Sequence, residues 1–443
     1  MFNLQLPKRF SRNFFFKAGR LALLFAVTLF SCSEENVTVE NETDDALTEE
    51  YSFLDPCDTS NVSICEAEDI ATFFMDELVD NDNTLKAFGM RYNPRNTNVI
   101  PDGNMEPTLY VINLDPEGWC IVSATKKTQS ILAYCDIGKF DVKNLQDGVC
   151  DWISETIDGI QYIRDNCKDA AMAPAIISPQ DNTDDRDRPN NSTHVVAKPK
   201  VVKVCGPLLK TNWGQNYPYN YYCPDKGCTS KNMYGHSKAG CVAVAAAQIV
   251  RYWSPYLPHT PYLWNDMPNR ATDNPSQLEK HKSVSEKQYN GILSMARLIH
   301  DIGIAVDMEY GCSNSMAESK DIPNVLRRNY SFYSGGVYQK LADNKAENKI
   351  IENIDAKQPV IIRGKKNLLS FNNPGHAWIC DGYKTLLSAS EKSYLFHMNF
   401  GWDGNCNGWY TISLNVDELD SMFSNVVEKY NHWRYYITDI RGK

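Results

Sequence analysis

The apolar pattern divides the chain into an opening apolar run and two folded units. Ala67–Leu78 repeats with helical spacing and an acidic start. Leu109–Leu114 and Trp119–Ser123 alternate like strands around the turn-forming Asp115-Pro116-Glu117-Gly118. Val149–Cys167 reads as an amphipathic helix. The pattern then stops: residues 178–203 are rich in Asp, Asn, Pro, Ser and Thr, the composition of an exposed linker open to proteolysis. After it, helical periodicity marks Cys241–Trp253, Glu286–Ile302 and Ile322–Asn329. Strand-like runs follow at Pro359–Arg363, His376–Tyr383, Tyr394–Phe400, Trp409–Leu414 and Trp433–Ile440. Helices first and strands afterwards predict an α+β domain with a helical subdomain and an antiparallel β subdomain. The division expected is 1–31 as a signal peptide, 32–50 as an acidic tether, 51–177 as a small α+β domain, 178–203 as linker and 204–443 as the main domain.

Charge sharpens the N-terminal reading. The chain has 443 residues, 45 Lys and Arg against 55 Asp and Glu, and a formal net charge of −10. That balance argues against general nucleic-acid binding. Residues 1–33 carry five basic residues and no acid, whereas 34–85 carry 17 acids and neither Lys nor Arg. The basic stretch ending at Arg20 precedes the apolar run Leu21–Phe30, the order of a secretory signal. Ten residues fall short of the roughly 20 that span a bilayer. Leu29-Phe30-Ser31-Cys32 resembles the lipobox of bacterial lipoproteins, which implies a lipid on Cys32, attachment to a membrane and a place at the outer membrane or cell surface.

Export changes how the 14 cysteines read. Beyond Cys32 their number is odd, so one thiol is expected to stay free. Short spacings suggest the pairs Cys57–Cys65, Cys120–Cys135, Cys150–Cys167 and Cys223–Cys228. Cys223, Cys228 and His236 also form a conceivable zinc set, which an oxidising compartment disfavours.

Four positions in the main domain carry chemistry. Cys241 opens an alanine-rich helix, where unpaired N–H groups and the helix dipole favour a thiolate. Alone, a cysteine there is more often a disulfide partner. A thiolate nucleophile needs an imidazole, and His376 opens an apolar strand 135 residues later in Gly-His-Ala-Trp. Asn399, at a strand end before Phe400-Gly-Trp402, is the candidate to orient that ring. Gln215, in Trp213-Gly-Gln, is the candidate oxyanion donor beside the Cys241 N–H.

Taken in order, these motifs resemble the streptopain family of cysteine peptidases. The resemblance rests on WGQ with PYN, GCVA and the alanine helix, Asp301-Ile-Gly-Ile-Ala-Val-Asp-Met-Glu-Tyr-Gly311, GHAW and HMNFGW. Trp119-Cys-Ile-Val-Ser-Ala and Ile131-Leu-Ala-Tyr-Cys-Asp-Ile-Gly138 resemble the same family's inhibitory propeptide. The resemblance implies a papain-like fold and a thiol endopeptidase made as a zymogen. It also implies protein or peptide substrates, a propeptide acting as intramolecular inhibitor, and no metal or cofactor. It makes Cys241 the nucleophile, His376 the base and acid, Asn399 the orienter and Gln215 the oxyanion donor. Gly375, Ser315, Met316 and Trp402 would line the substrate cleft. Two positions depart from the family: Phe400 stands where Trp is usual, and the loop after Gly311 carries Cys312 and Met316. The rival readings are a non-catalytic surface-binding lipoprotein on the same fold and acyl transfer through the same Cys–His pair. Processing in the linker, at Lys198, Lys200 or Lys203, would separate the enzyme from its lipid.

Overall fold

The computed structural model describes residues 29–30, 60–80, 91–166, 200–230, 232–257, 261–271, 285–364, 375–388, 391–414 and 434–443. Among these no helix is long and apolar enough to cross a membrane. Cys32, Cys57, Cys167, Lys198 and the rest of the linker up to residue 199 lie outside them.

The first unit is a four-stranded meander between two helices. Its helices are α1 (Ile64–Asp80) and α2 (Val149–Asn166), and its strands β2 (Asn93–Pro101), β3 (Pro107–Asp115), β4 (Trp119–Ser123) and β5 (Ile131–Cys135). The short β1 (Leu29–Phe30) pairs with β2. The interior of β3 is buried on both faces rather than alternating. Tyr110, Ile112 and Leu114 face the α1 core, while Leu109 and Val111 face the α2 core. A sheet covered on both sides loses the polar half of its pattern, and β4 and β5 are likewise buried along their whole length.

The second unit adds β6 (Lys200–Cys205), β7 (Asp225–Cys228) and β8 (Gly235–His236). Then come α3 (Cys241–Trp253), α4 (Glu286–Ala305), α5 (Ile322–Tyr330), β9 (Ser334–Lys340) and α6 (Asp343–Asp355). The last strands are β10 (Val360–Gly364), β11 (His376–Ser388), β12 (Glu391–Asn399), β13 (Gly408–Tyr410) and β14 (Tyr435–Arg441). A sequence carrying the expected helices and antiparallel strands is thus α+β. The helix α3 is buried from Val242 to Val250, which is why its pattern is apolar all round rather than amphipathic. It packs with α4 and α5 on one face of the sheet, with Ile361, Ile379 and Ile437 facing it.

One sheet runs through both units. Its order is β1-β2-β3-β4-β5-β13-β12-β11-β10-β14-β9, with β6 also on β11. The junction is β5 on β13, in the register Trp409↔Tyr134 and Tyr410↔Ala133, extended by the Thr411 N–H donating to the Leu132 carbonyl at 2.9 Å. A single apolar cluster spans the junction, from Trp119, Phe140, Val149 and Trp152 to Trp378, Phe400 and Tyr410. Trp152 Nε1 donates to the Thr411 carbonyl at 2.8 Å, and Arg434 pairs with Glu155.

Several expectations need correction. The linker does not extend to 203: Lys200 and Lys203 are strand residues opposite Leu387 and Thr385, and Lys203 pairs with Asp355 at 3.1 Å. Cys228 is bridged to Cys312, 84 residues away, instead of to Cys223. That bridge also removes Cys228 from any zinc set, and His236 Nδ1 sits 2.7 Å from the Cys223 carbonyl. Cys120 and Cys135 lie on adjacent strands but feed opposite cores, so their sulfurs are on different faces of the sheet. Cys150 is the second residue of α2, and Cys167, its expected partner, lies outside the described residues. The expectation of one free thiol fails as well, because Cys120, Cys135, Cys205, Cys223, Cys241, Cys380 and Cys406 are all unbridged.

Candidate active site

The first turn of α3 meets the start of β11. Gly240, with φ 88°, turns the chain into α3 and sets Cys241 at its first position. A Cβ there would fall 2.6 Å from Met308 Cε, so the turn requires glycine on both counts. The preceding residues are clamped: the Ala239 N–H donates to the Gln215 carbonyl at 3.0 Å, and Ser315 Oγ donates to the Lys238 carbonyl at 2.7 Å.

His376 faces Cys241 closely enough to share a hydrogen bond with it. Burial alone would raise the Cys241 thiol, yet the facing imidazolium and its hydrogen bond set it below the ordinary thiol range. Burial would likewise lower His376, but the Cys241 thiolate, the shared hydrogen bond and the Phe400 carbonyl raise it. The pair therefore favours thiolate and imidazolium together.

The ring is held from behind. His376 Nε2 lies 2.7 Å from the Phe400 carbonyl oxygen. A carbonyl can only accept, so Nε2 carries the hydrogen and Nδ1 is left for the thiol. The Phe400 N–H is fixed by Asn407 Oδ1 at 3.0 Å, and Gly401 follows with φ 74°. Trp402 stacks almost parallel on the imidazole, at 5.4 Å and 8°. Lys238 Nζ sits 5.3 Å over the other ring system of this stack, the Trp402 indole.

Asn399 does not touch the imidazole. Its Nδ2 donates to the Thr211 carbonyl at 2.7 Å and to Gln248 Oε1 at 3.2 Å, and its Oδ1 accepts from the Gly401 N–H at 3.3 Å. Gln248, from the buried core of α3, also accepts from the Trp213 N–H at 3.1 Å. Asn399 thus braces the loop that leads to Gln215 rather than the ring. Gln215 is buried, and among the described residues its Nε2 has no hydrogen-bond partner. A buried, unsatisfied amide donor costs free energy unless an acceptor arrives from outside.

The expected cleft residues divide. Met316 is 45% exposed, as a substrate contact should be. Ser315 is buried, and besides donating to Lys238 it accepts from the Gly311 N–H at 3.0 Å, so it closes its own loop. Trp402 is buried against His376. Gly375 precedes His376 with φ 79°.

Residues from the first unit enter the site, as an intramolecular inhibitor would, but the particular residues, Asp147 and Gly148, were not among those expected. Gly148, φ 76°, lies so close that a Cβ would fall 2.6 Å from His376 Cδ2 and 3.1 Å from Phe400 Cδ1. The Asp147 carboxylate acts on both members of the pair, raising Cys241 and His376 alike. The only sequence signal was a glycine just before a helix start. His376 is consequently buried, at 2% exposure.

Comparison with known proteins follows the same division. Residues 213–410 match the Peptidase C10 family, and residues 59–159 match the family described as Spi protease inhibitor. Streptopain of Streptococcus pyogenes is 26% identical over 336 residues, which cover 70% of this chain and 75% of streptopain. Thiol protease/hemagglutinin PrtT of Porphyromonas gingivalis is 23% identical over 324 residues, 70% of this chain and 34% of that protein. A solved fragment of Prevotella intermedia prointerpain A superposes with a TM-score of 0.51 at 21% identity, covering 76% of this chain and 96% of the fragment.

Proposed function

We propose, for a chain that belongs to the Peptidase C10 family and carries a Spi-type inhibitor domain as its propeptide, that Cys241 is the nucleophile of an endopeptidase held inactive until the propeptide leaves. The observation that carries the reading is the Cys–His pair poised as thiolate and imidazolium, with the buried Gln215, whose amide has no partner among the described residues, held through its carbonyl to Ala239 two residues before Cys241.

In this reading the Cys241 thiolate attacks a peptide carbonyl carbon, and a C–S bond forms. The oxyanion accepts from Gln215 Nε2 and the Cys241 N–H, which supplies the amide's missing partner. His376 Nδ1 gives its proton to the amine as the C–N bond breaks. It then takes a proton from water, whose oxygen attacks the thioester and expels the thiolate. The Phe400 carbonyl holds Nε2–H throughout. In the precursor, Asp147 and Gly148 occupy the space over His376 that a substrate needs.

The N-terminal segment extends the proposal. Lipid on Cys32 would tether the precursor to the outer membrane or cell surface, and cutting the linker would release a soluble enzyme. Metabolic labelling with palmitate, lost in Cys32→Ala, tests the tether.

The test of the enzyme is titration of the processed chain with an epoxysuccinyl inhibitor, read by intact mass beside casein hydrolysis. One adduct on the wild type and none on Cys241→Ala is the expected result. A folded, reduced, processed protein with neither adduct nor hydrolysis would overturn the reading in favour of a binding module.

A further inference from the structure

A cation without an ion-pair partner stands one strand away from the nucleophile. Arg363 lies on β10, directly opposite Ala377 of β11 on one side and Tyr435 of β14 on the other. Residues opposed across a sheet share a face, as do alternate residues along a strand. Ile361, Ala377, Ile379 and Ile437 all pack in the cluster around α3, so Arg363 and Tyr435 point to that same side. Ala377 follows His376, and its N–H hydrogen-bonds the Cys241 sulfur. Opposed residues of an antiparallel pair lie about 5 Å apart, which starts the Arg363 side chain close beside the reacting pair. The guanidinium rests on an aromatic platform: its Cζ lies 6.0 Å from the centre of the Tyr435 ring, and that ring stacks on Tyr338 at 4.9 Å and 4°. Arg363, Tyr338 and Tyr435 are half-buried. Among the described residues no carboxylate lies within ion-pair distance of Arg363. Glu318 acts on Tyr338 with the opposite sign to Arg363, but it is exposed and makes no pair with it.

Resting on the reading of Cys241 as a peptidase nucleophile, we propose that Arg363 is a specificity-determining residue that binds the carboxylate of a Glu or Asp side chain within two residues of the bond that is cut. An extended peptide advances about 3.3 Å per residue, so a long arginine stem rooted opposite Ala377 reaches that span. A flat guanidinium over a ring keeps its edge N–H groups for a second partner. A substrate carboxylate accepts two parallel hydrogen bonds from that edge, and the Tyr435 ring holds the fork in place. Removing a charge from water without a counter-charge is costly, and the incoming carboxylate offsets that cost at the moment of binding. Lys238, a second cation at the site, sits over the Trp402 indole at 5.3 Å and serves as the control.

The test uses the full chain after processing in its linker, with its active concentration set by epoxysuccinyl titration. Fluorogenic peptides share one sequence and differ only by Glu or Gln at each of the two positions on either side of the cut, which mass analysis of the products locates. At one of these positions the wild type should cleave the Glu peptide with a kcat/KM about tenfold or more above that of its Gln twin, the scale that charged hydrogen bonds supply. Arg363→Met, which keeps a stem on the Tyr435 ring, should abolish that ratio. Arg363→Glu should reverse it, because like charges then meet. Lys238→Met should keep it. Thermal melting checks that each variant folds, and Arg363→Lys, with a point charge in place of the fork, should show a smaller ratio of the same sign. Equal cleavage of both twins at every position, or a preference that survives Arg363→Met, would overturn the proposal and leave the peptidase standing. A wild type that cleaves neither twin and takes no inhibitor would overturn the nucleophile reading itself, and the proposal with it.

Discussion

The Phe400 carbonyl oxygen stands 2.7 Å behind His376 Nε2, in the place where an Asn side chain was expected. Because the backbone makes this contact, the residue at 400 can change without losing it. Asn399→Ala is expected to cost about 1–3 kcal/mol of stability through the Thr211 and Gln248 bonds it abandons. The pH dependence of kcat/KM should keep its shape. Thermal melting and a pH profile measured together check this, and a displaced His limb would mean that Asn399 acts on the ring after all.

Gln215→Ala removes the donor proposed for the oxyanion. The kcat should fall by about 100- to 1000-fold, while the rate of Cys241 alkylation by iodoacetamide stays close to wild type. Equal losses in both would assign Gln215 to holding the thiolate instead.

The opposed shifts of Cys241 and His376 predict a bell. Activity rises as pH climbs through the lowered thiol value and the thiolate forms. It falls as pH passes the raised His376 value and the proton needed by the leaving amine is lost. Iodoacetamide reports only the first limb and stays flat above it. In His376→Ala burial acts on the thiol without its two largest opponents, so alkylation at mildly acid pH should drop by about tenfold for each unit regained. Unchanged alkylation would separate the thiolate from the imidazole.

Gly148 permits the close approach of the propeptide to the site. Gly148→Val adds carbons into His376 and Phe400 at a left-handed φ. The full-length precursor should therefore show more active-site titratable thiol than wild type before any processing. A variant as silent as the parent would locate inhibition elsewhere on the propeptide.

Lys384 lies between the rings of Tyr134 and Trp409, at 5.0 and 4.5 Å, and donates to the Tyr134 hydroxyl. Burial pushes it down to about 8 from its usual 10.5. The undocked domain then binds more protons, so docking should tighten as pH rises from 8 towards 10.5, up to about tenfold per unit. Propeptide release after linker cleavage, followed by size exclusion at several pH values, should slow across that window. Lys384→Met should flatten the trend.

Much of this site could be read in advance, because helix and strand starts are local. Cys241 and His376 open their elements where the apolar pattern begins, and the observed boundaries of α3 and the start of β11 are those expected. Asn399 was misplaced because a side chain at a strand end points wherever the next turn sends it. Here Gly401 turns the Phe400 carbonyl, not the amide, toward the ring. Asp147 and Gly148 reach the site through a contact between two units, for which a single sequence holds no period or spacing. The Cys228–Cys312 bridge was missed for the same reason: proximity in sequence favoured Cys223, while the fold brought up a loop 84 residues on. Lys200 and Lys203 read as linker because β6 is a short strand whose valines are largely exposed and show no buried face, so nothing in its pattern set it apart from the polar stretch before it.

The pairing of β5 on β13 has a consequence for solubility. An enzyme that has shed its propeptide loses the strand that closed its sheet and gains an open rim along Gly408–Tyr410. Open rims invite pairing with other chains and so aggregation. Here the rim is three residues long and has Lys384 beside it, which regains full charge in water. Brevity and a lysine are among the devices that keep natural sheet edges apart, so the processed enzyme carries its own protection against self-association.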